Sequence, residues 1–262
     1  MQEHGRGAAP DYAGAVEWYR RAAEAEVPAA MVNLARLYFE GRGVARDPAS
    51  ALHWLESASG LGSAVAAYNL GVAYLGAPGT GTTKDAETAA EWFEIAAERG
   101  HARAAYNLAV LYRDGDGVTR DLTRAEETFA LAAENGDALS HYALADLMIA
   151  RSAKSKPGDK QVMAAAAAHL RSAAEAGVTV AQNRLAIMLA KGDGVKRDRE
   201  AALMWFHVAA GLGAENAARN RDALACVLPA EVRARAKRRA DGFRPQAPAG
   251  AKRGVKSWAK NG

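Results

Sequence analysis

Cysteine is nearly absent from this chain: Cys226 stands alone among 262 residues. A single thiol closes no internal disulfide and supplies no cysteine-based zinc site. That usage neither demands an oxidising compartment nor excludes one. Aromatic residues are scarce as well, at 7%. No apolar run approaches the roughly 20 residues that a membrane helix needs. The opening residues, Met1-Gln2-Glu3-His4-Gly5-Arg6-Gly7, lack the apolar segment of a signal peptide. Motifs of chemistry are missing too. There is no H-E-x-x-H, no G-x-S-x-G and no G-x-x-x-x-G-K-[ST], and no two of the six histidines are four residues apart. Those patterns set metal ligands, a nucleophile or a phosphate cradle on one local element. Their absence leaves no catalytic residue, cofactor or metal to be expected.

Half of the residues are hydrophobic, and alanine dominates them. Alanine has the lowest helix cost, and its small side chain lets helix axes approach closely. The net charge of +4 conceals an asymmetry. Ten basic and two acidic residues between Glu231 and Gly262 leave that segment at +8 and residues 1–230 at −4. The tail is a candidate for phosphate or anionic-lipid contact, although only Phe243 and Trp258 interleave its charges. A solvated, solubilising tail is the simpler reading.

An internal period organises the rest. Trp18-Tyr19, Trp54-Leu55, Trp92-Phe93, Thr128-Phe129, His169-Leu170 and Trp205-Phe206 each begin the same apolar pattern, which ends in small residues such as Ala22-Ala23 and Ala209-Ala210. Successive steps are 36, 38, 36, 41 and 36 residues. Upstream lie Asn33-Leu34, Asn69-Leu70 and Asn107-Leu108, followed on the same helical face by Tyr38, Tyr74 and Tyr112. Between the two patterns come Gly41-Arg42-Gly43-Val44, Gly115-Asp116-Gly117-Val118 and Gly192-Asp193-Gly194-Val195. These glycines supply the positive φ that stops a helix. Asp47, Asp121 and Asp198 then suit the N-cap of the next helix. Each unit is thus helix A, a glycine turn, helix B and a short return ending at Gly62, Gly100, Gly136, Gly177 or Gly213. A two-helix unit cannot bury both apolar faces alone, so the units must stack.

These motifs resemble the Sel1-like repeat family, a relative of the tetratricopeptide repeat. Residues 104–136 follow its pattern well, apart from Thr128 in the tryptophan slot. The resemblance covers about residues 3–215. It implies an all-α, right-handed α-solenoid of antiparallel helix pairs. The expected organisation is a truncated first repeat over 1–28, five repeats over 29–215, capping helices over 216–241 and a disordered tail over 242–262. Two units depart from the pattern. One carries the extended turn Gly76-Ala77-Pro78-Gly79-Thr80-Gly81-Thr82-Thr83. The other replaces its glycine turn with residues 151–160 and puts His169 in the tryptophan slot. Both turns are expected on one rim.

Gly5, Gly7, Asp11, Ala15 and Trp18 lie 36 residues before Gly41, Gly43, Asp47, Ala51 and Trp54. The chain therefore reads as starting inside a repeat. A start lying upstream, an exposed helix B face that binds a partner, and a frayed cap are the three readings. Localisation reads as cytoplasmic for the sequence as it stands, and as periplasmic or envelope-associated if a true N-terminus precedes it.

The resemblance also implies a scaffold that holds a partner peptide or domain on the concave helix A face. Tyr68, Tyr106 and Tyr142 precede the helix A leucine by two residues, Arg36 and Asp146 follow it by two, and Arg113 lies a turn further on. Tyrosine and arginine are typical interface anchors. Trp18, Trp54, Trp92 and Trp205 keep a fixed helical phase and read as core. Cysteine-rich Sel1-repeat proteins described as β-lactam-interacting offer an enzymatic alternative, which a single cysteine does not support. Binding of nucleic acid or lipid through the basic tail is the third reading.

Overall fold

The computed structural model of the chain describes residues 11–154 and 159–246. Thirteen helices and no strand are found among these residues. They are α1 (Tyr12–Glu24), α2 (Pro28–Glu40), α3 (Pro48–Gly60), α4 (Ala64–Tyr74), α5 (Ala86–Glu98), α6 (Ala102–Asp114), α7 (Leu122–Glu134), α8 (Ala138–Lys154), α9 (Lys160–Glu175), α10 (Thr179–Lys191), α11 (Arg199–Gly211), α12 (Glu215–Ala225) and α13 (Ala230–Gly242). Two compact units divide within α7, between Thr128 and Phe129. In the first, α1 packs on α2, α2 on α3, α3 on α4, α4 on α5 and α5 on α6. In the second, α8 packs on α9, α9 on α10, α10 on α11, and α11 on both α12 and α13. Neighbour-on-neighbour packing of helix pairs is the α-solenoid arrangement.

The turns between helix A and helix B explain why each helix stops where it does. Gly41, Gly115 and Gly192 adopt φ of +66°, +75° and +87°, and each donates its N–H back to the last turn of helix A. The second glycine of the turn does something the sequence did not reveal. A Cβ on Gly43 would stand 2.3 Å from the Tyr12 carbonyl, and one on Gly117 would stand 2.2 Å from the Ala86 carbonyl carbon. On Gly194 it would stand 2.5 Å from that of Met163. Each turn thus rests directly on the backbone that opens the preceding helix B. Asp47, Asp121 and Asp198 then cap α3, α7 and α11 through side-chain bonds to backbone N–H groups. Their own N–H groups return to the carbonyls of Tyr38, Tyr112 and Leu189.

The deepest residue of helix B is the one after the tryptophan slot. Leu55, Phe93, Phe129 and Leu170 are fully buried, and Phe206 nearly so. Trp205 is buried, but Trp54 and Trp92 are only half-buried, and Trp18 is 59% exposed beneath the Arg21 guanidinium. The tryptophans therefore do not form the uniform core that their common phase predicts. Helical phase identifies a face, but a face is buried only where another element covers it.

The extended turn of residues 76–83 is pinned. Thr80 is fully buried and donates its hydroxyl to the Ala77 carbonyl, and the Thr82 hydroxyl donates to that of Ala73. Arg46, from the preceding turn, reaches the Gly79 carbonyl at 3.0 Å. Of the other irregular turn, residues 155–158 lie outside the described residues. Its first part is helical, because α8 continues to Lys154. At the C-terminal end, residues 243–246 are placed rather than disordered. Phe243 meets Trp205 edge-on at 5.1 Å, and the Gln246 N–H donates to the Glu175 carbonyl at 2.9 Å. Arg235 and Arg239 both hold Glu200, fixing α13 to α11. The tail from 247 onward lies outside the described residues.

Candidate partner-binding groove

In the second unit the helix A members α8, α10 and α12 stand side by side. They line a groove of about 820 Å³ that opens to solvent. Tyr142 and Ile149 come from α8, Val180, Asn183, Arg184 and Ile187 from α10, and Glu215, Asn216 and Arg219 from the start of α12. Met163 of α9 reaches in from below. The register follows from the repeat. Ala181, Gln182, Leu185 and Ala186 turn to the core and are fully buried, while Asn183, Arg184 and Ile187 on the opposite side of the turn stay part-exposed. Val180 is 54% exposed within this groove. Apolar side chains flanked by paired charges form a surface that can hold an extended chain through side-chain and backbone contacts.

Two of the six residues singled out from sequence belong here. Tyr142 lines the groove, and Asp146 enters it through a 2.6 Å ion pair with Arg184. The other four lie in the first unit. Arg36 is paired with Glu40 at 3.2 Å, its side chain only 13% exposed. Arg113 makes a bidentate pair with Asp114 at 2.7 and 2.8 Å. Tyr106 lies half-buried under the Arg103 guanidinium. Tyr68 is not a solvent-facing anchor. It is 7% exposed and stacks on His101 with ring centres 4.4 Å apart. His101 opens α6 and is the N-cap of that helix, so the tyrosine packs on the following repeat.

No two histidines are four residues apart in sequence, yet two of them meet in the fold. His141 of α8 and His169 of α9 are 28 residues apart in sequence, with Nδ1 atoms 3.0 Å apart. Burial lowers the pKa of both rings, and each ring's neighbourhood matters: His169 disfavours charge on His141, while Asp137 favours it. The useful signal was the coincidence of one histidine in the tryptophan slot with another three residues before the helix A leucine. Burial also lowers His101, whose Nδ1 accepts the Ala104 N–H at 3.2 Å and so must be unprotonated. Among the described residues no group of three or more His, Cys, Asp or Glu is placed to hold a metal ion. No helix among them is long and apolar enough to cross a membrane. Cys226 is exposed just beyond α12.

The family described as Sel1 repeat matches residues 1–27, 28–63, 64–101, 102–137, 138–178 and 179–213. A search among curated proteins finds no match. Among solved structures, the chain is similar to a Sel1 repeat protein from Oxalobacter formigenes, with 30% identity and a TM-score of 0.71 over 86% of this chain. It is also similar to c5321, a protective antigen present in uropathogenic Escherichia coli strains that displays an SLR fold. That match has 25% identity and a TM-score of 0.52 over 98% of this chain. The chain spans 63% of the length of each of these two structures.

Proposed function

Because the chain belongs to the Sel1 repeat family, we propose that it is a non-catalytic scaffold that holds a partner peptide or protein segment on its helix A face. Sel1 repeat proteins are generally helical scaffolds of this kind. The observation that carries the reading is the groove on α8, α10 and α12, which joins apolar side chains to polar ones from two successive repeats and the helix that follows them. A segment lying across it would exchange water for contacts with Val180, Ile187 and Tyr142, while Asn183, Asn216 and Arg219 offer directional bonds to its backbone.

A photo-reactive residue at position 180 of the full chain tests this. It is expected to capture partner protein in cells, whereas the same residue at Glu91, exposed on helix B of the first unit, captures none of it. Val180→Asp with Arg219→Glu is expected to weaken the captured partner about tenfold while leaving the fold intact, since both sites are exposed. Unchanged affinity in that double variant would sink the reading.

A further inference from the structure

We propose that His141 and His169 form a proton-operated clasp between α8 and α9, closed at neutral pH and opened when both rings carry charge. The ring centres are 5.3 Å apart and the Nδ1 atoms 3.0 Å apart, so the two nitrogens lie close to the line joining the rings. Each Nδ1 therefore points at the other. Such a contact is a hydrogen bond only when one nitrogen carries a proton and the other a lone pair. A first added proton enters at Nε2 of the donor ring and leaves the bond in place, with an imidazolium donating. A second must enter at Nδ1 of the acceptor. Two N–H groups then face each other, and the bond is replaced by repulsion. The pair titrates in two steps that belong to it jointly, and the second step opens it.

The surroundings push the second step toward acid. Both rings are half-buried, and His141 lies in the first turn of α8, where the helix dipole opposes positive charge. Among the described residues, the charged group acting on the pair is the Asp137 carboxylate, which favours protonation of His141. That carboxylate is engaged by the Ser140 N–H at 2.9 Å and the Ser140 hydroxyl at 2.8 Å. For His169 the cause of the lowered pKa is burial. The arrangement suits a shared proton better than a metal ion, because lone pairs aimed at each other do not converge on a third point.

The pair is particular to one repeat. The corresponding two positions hold Met31 with Trp54, Ala67 with Trp92, Ala105 with Thr128, and Gln182 with Trp205. Only in residues 138–178 do both become histidine. This is also the repeat without a glycine turn, where a side-chain clasp has most to do. Since α8 contributes Tyr142 and α9 contributes Met163 to the groove, opening the clasp would move one of its walls. That consequence rests on the peptide-binding reading, whereas the clasp does not.

The test uses the full chain, with ring-proton NMR titration from pH 8 to pH 4.5. It is paired with amide exchange at pH 7 and pH 5, corrected for intrinsic rates. His141 and His169 are expected to titrate as a coupled pair, one step falling below the ordinary histidine value near 6.5. Segments of α8 and α9 are expected to lose about tenfold more protection at pH 5 than α10 and α11, the change that one pKa unit of linkage produces. His169→Asn keeps a hydrogen-bonding group near the Nδ1 position and removes the charge, so the excess loss should fall below about twofold. The double variant H141A/H169W, which installs the Ala67 and Trp92 combination, should show the same insensitivity and serves if H169N folds poorly. Independent single-step titration of the two rings overturns the proposal. So does acid loosening of α8 and α9 that persists undiminished in these variants. Failure of the groove to bind a partner would leave all these readouts in place.

Discussion

The first unit repeats one arrangement and lengthens a single turn, at residues 76–83, while the second keeps the frame and alters what fills it. In the first, the seam between helices is sealed by Phe93, the Tyr68–His101 stack and Arg99, which reaches the Ser59 carbonyl at 2.9 Å. Charged residues on its helix A face are engaged locally, as Arg36 with Glu40 and Arg113 with Asp114. The second unit retains the buried leucine and the glycine seat at Gly194. It differs in its paired histidines, a groove across three helix A members and a C-terminal helix bound to α11. The difference separates two kinds of position. Residues that meet a neighbouring backbone or fill a seam are held to one size, and residues beside them are open to other uses.

That contrast can be broken by substitution, most severely at the glycine seats. Gly117→Ala and Gly194→Ala each force a Cβ into backbone at a positive φ, and about 4 kcal/mol of destabilisation is expected from strain and overpacking together. Denaturant unfolding of both variants checks it. Near-neutral behaviour of Gly194→Ala alone would show that the second unit seats its turns more loosely. Next comes the core slot. Phe93→Ala should cost about 3–4 kcal/mol, as for a fully buried aromatic. Trp18→Ala, at the neighbouring phase but exposed, belongs at the end of the scale with less than about 0.5 kcal/mol. Comparable losses for the two would restore the tryptophan core that the structure revises. Between them stands the buried cap Asp137. Asp137→Ala strands the Ser140 donors, and about 2 kcal/mol of melting stability should go with it.

A pH comparison sharpens the same division. The folded pKa of His101 is lowered by burial, so the unfolded chain binds the proton more readily. Its contribution to stability is fully present above the ordinary value near 6.5 and is lost as pH falls through and below it. Amide exchange at the start of α6 should therefore quicken in mild acid. His101→Asn, which can still cap the helix but does not titrate, should remove that response from the first unit and leave the acid response of α8 and α9 untouched. Loss of both responses together would mean that the two units do not report separately.

Much of the fold could be read from periodicity. Recurrent Trp, Thr or His slots, with G-x-G turns in most units and an aspartate before each helix B, located these helices, because a helix stop and a helix start have local chemical requirements. The tail was misjudged at one point. Phe243 looked like part of a disordered segment, yet it covers Trp205, since a short polar-flanked stretch gives no local sign of docking. Among the site residues, Tyr142 and Asp146 were placed on the outward face by register, and the groove contains or touches both. Tyr68 has the same register and is buried, because a neighbouring repeat presents an aromatic ring to it. Register describes one helix, whereas exposure depends on the next one.

The sequence by itself determined the repeat, its length, most of its helix stops and starts, and the family. Each of these follows from contacts within a few turns of chain, and the 36-residue spacing states them repeatedly. Tertiary structure decided how deep each slot lies, why the second glycine of a turn admits no side chain, and that two histidines 28 residues apart face one another. Those outcomes depend on how closely neighbouring helices approach, within a repeat and between repeats, and that approach is set by close packing rather than by any local preference.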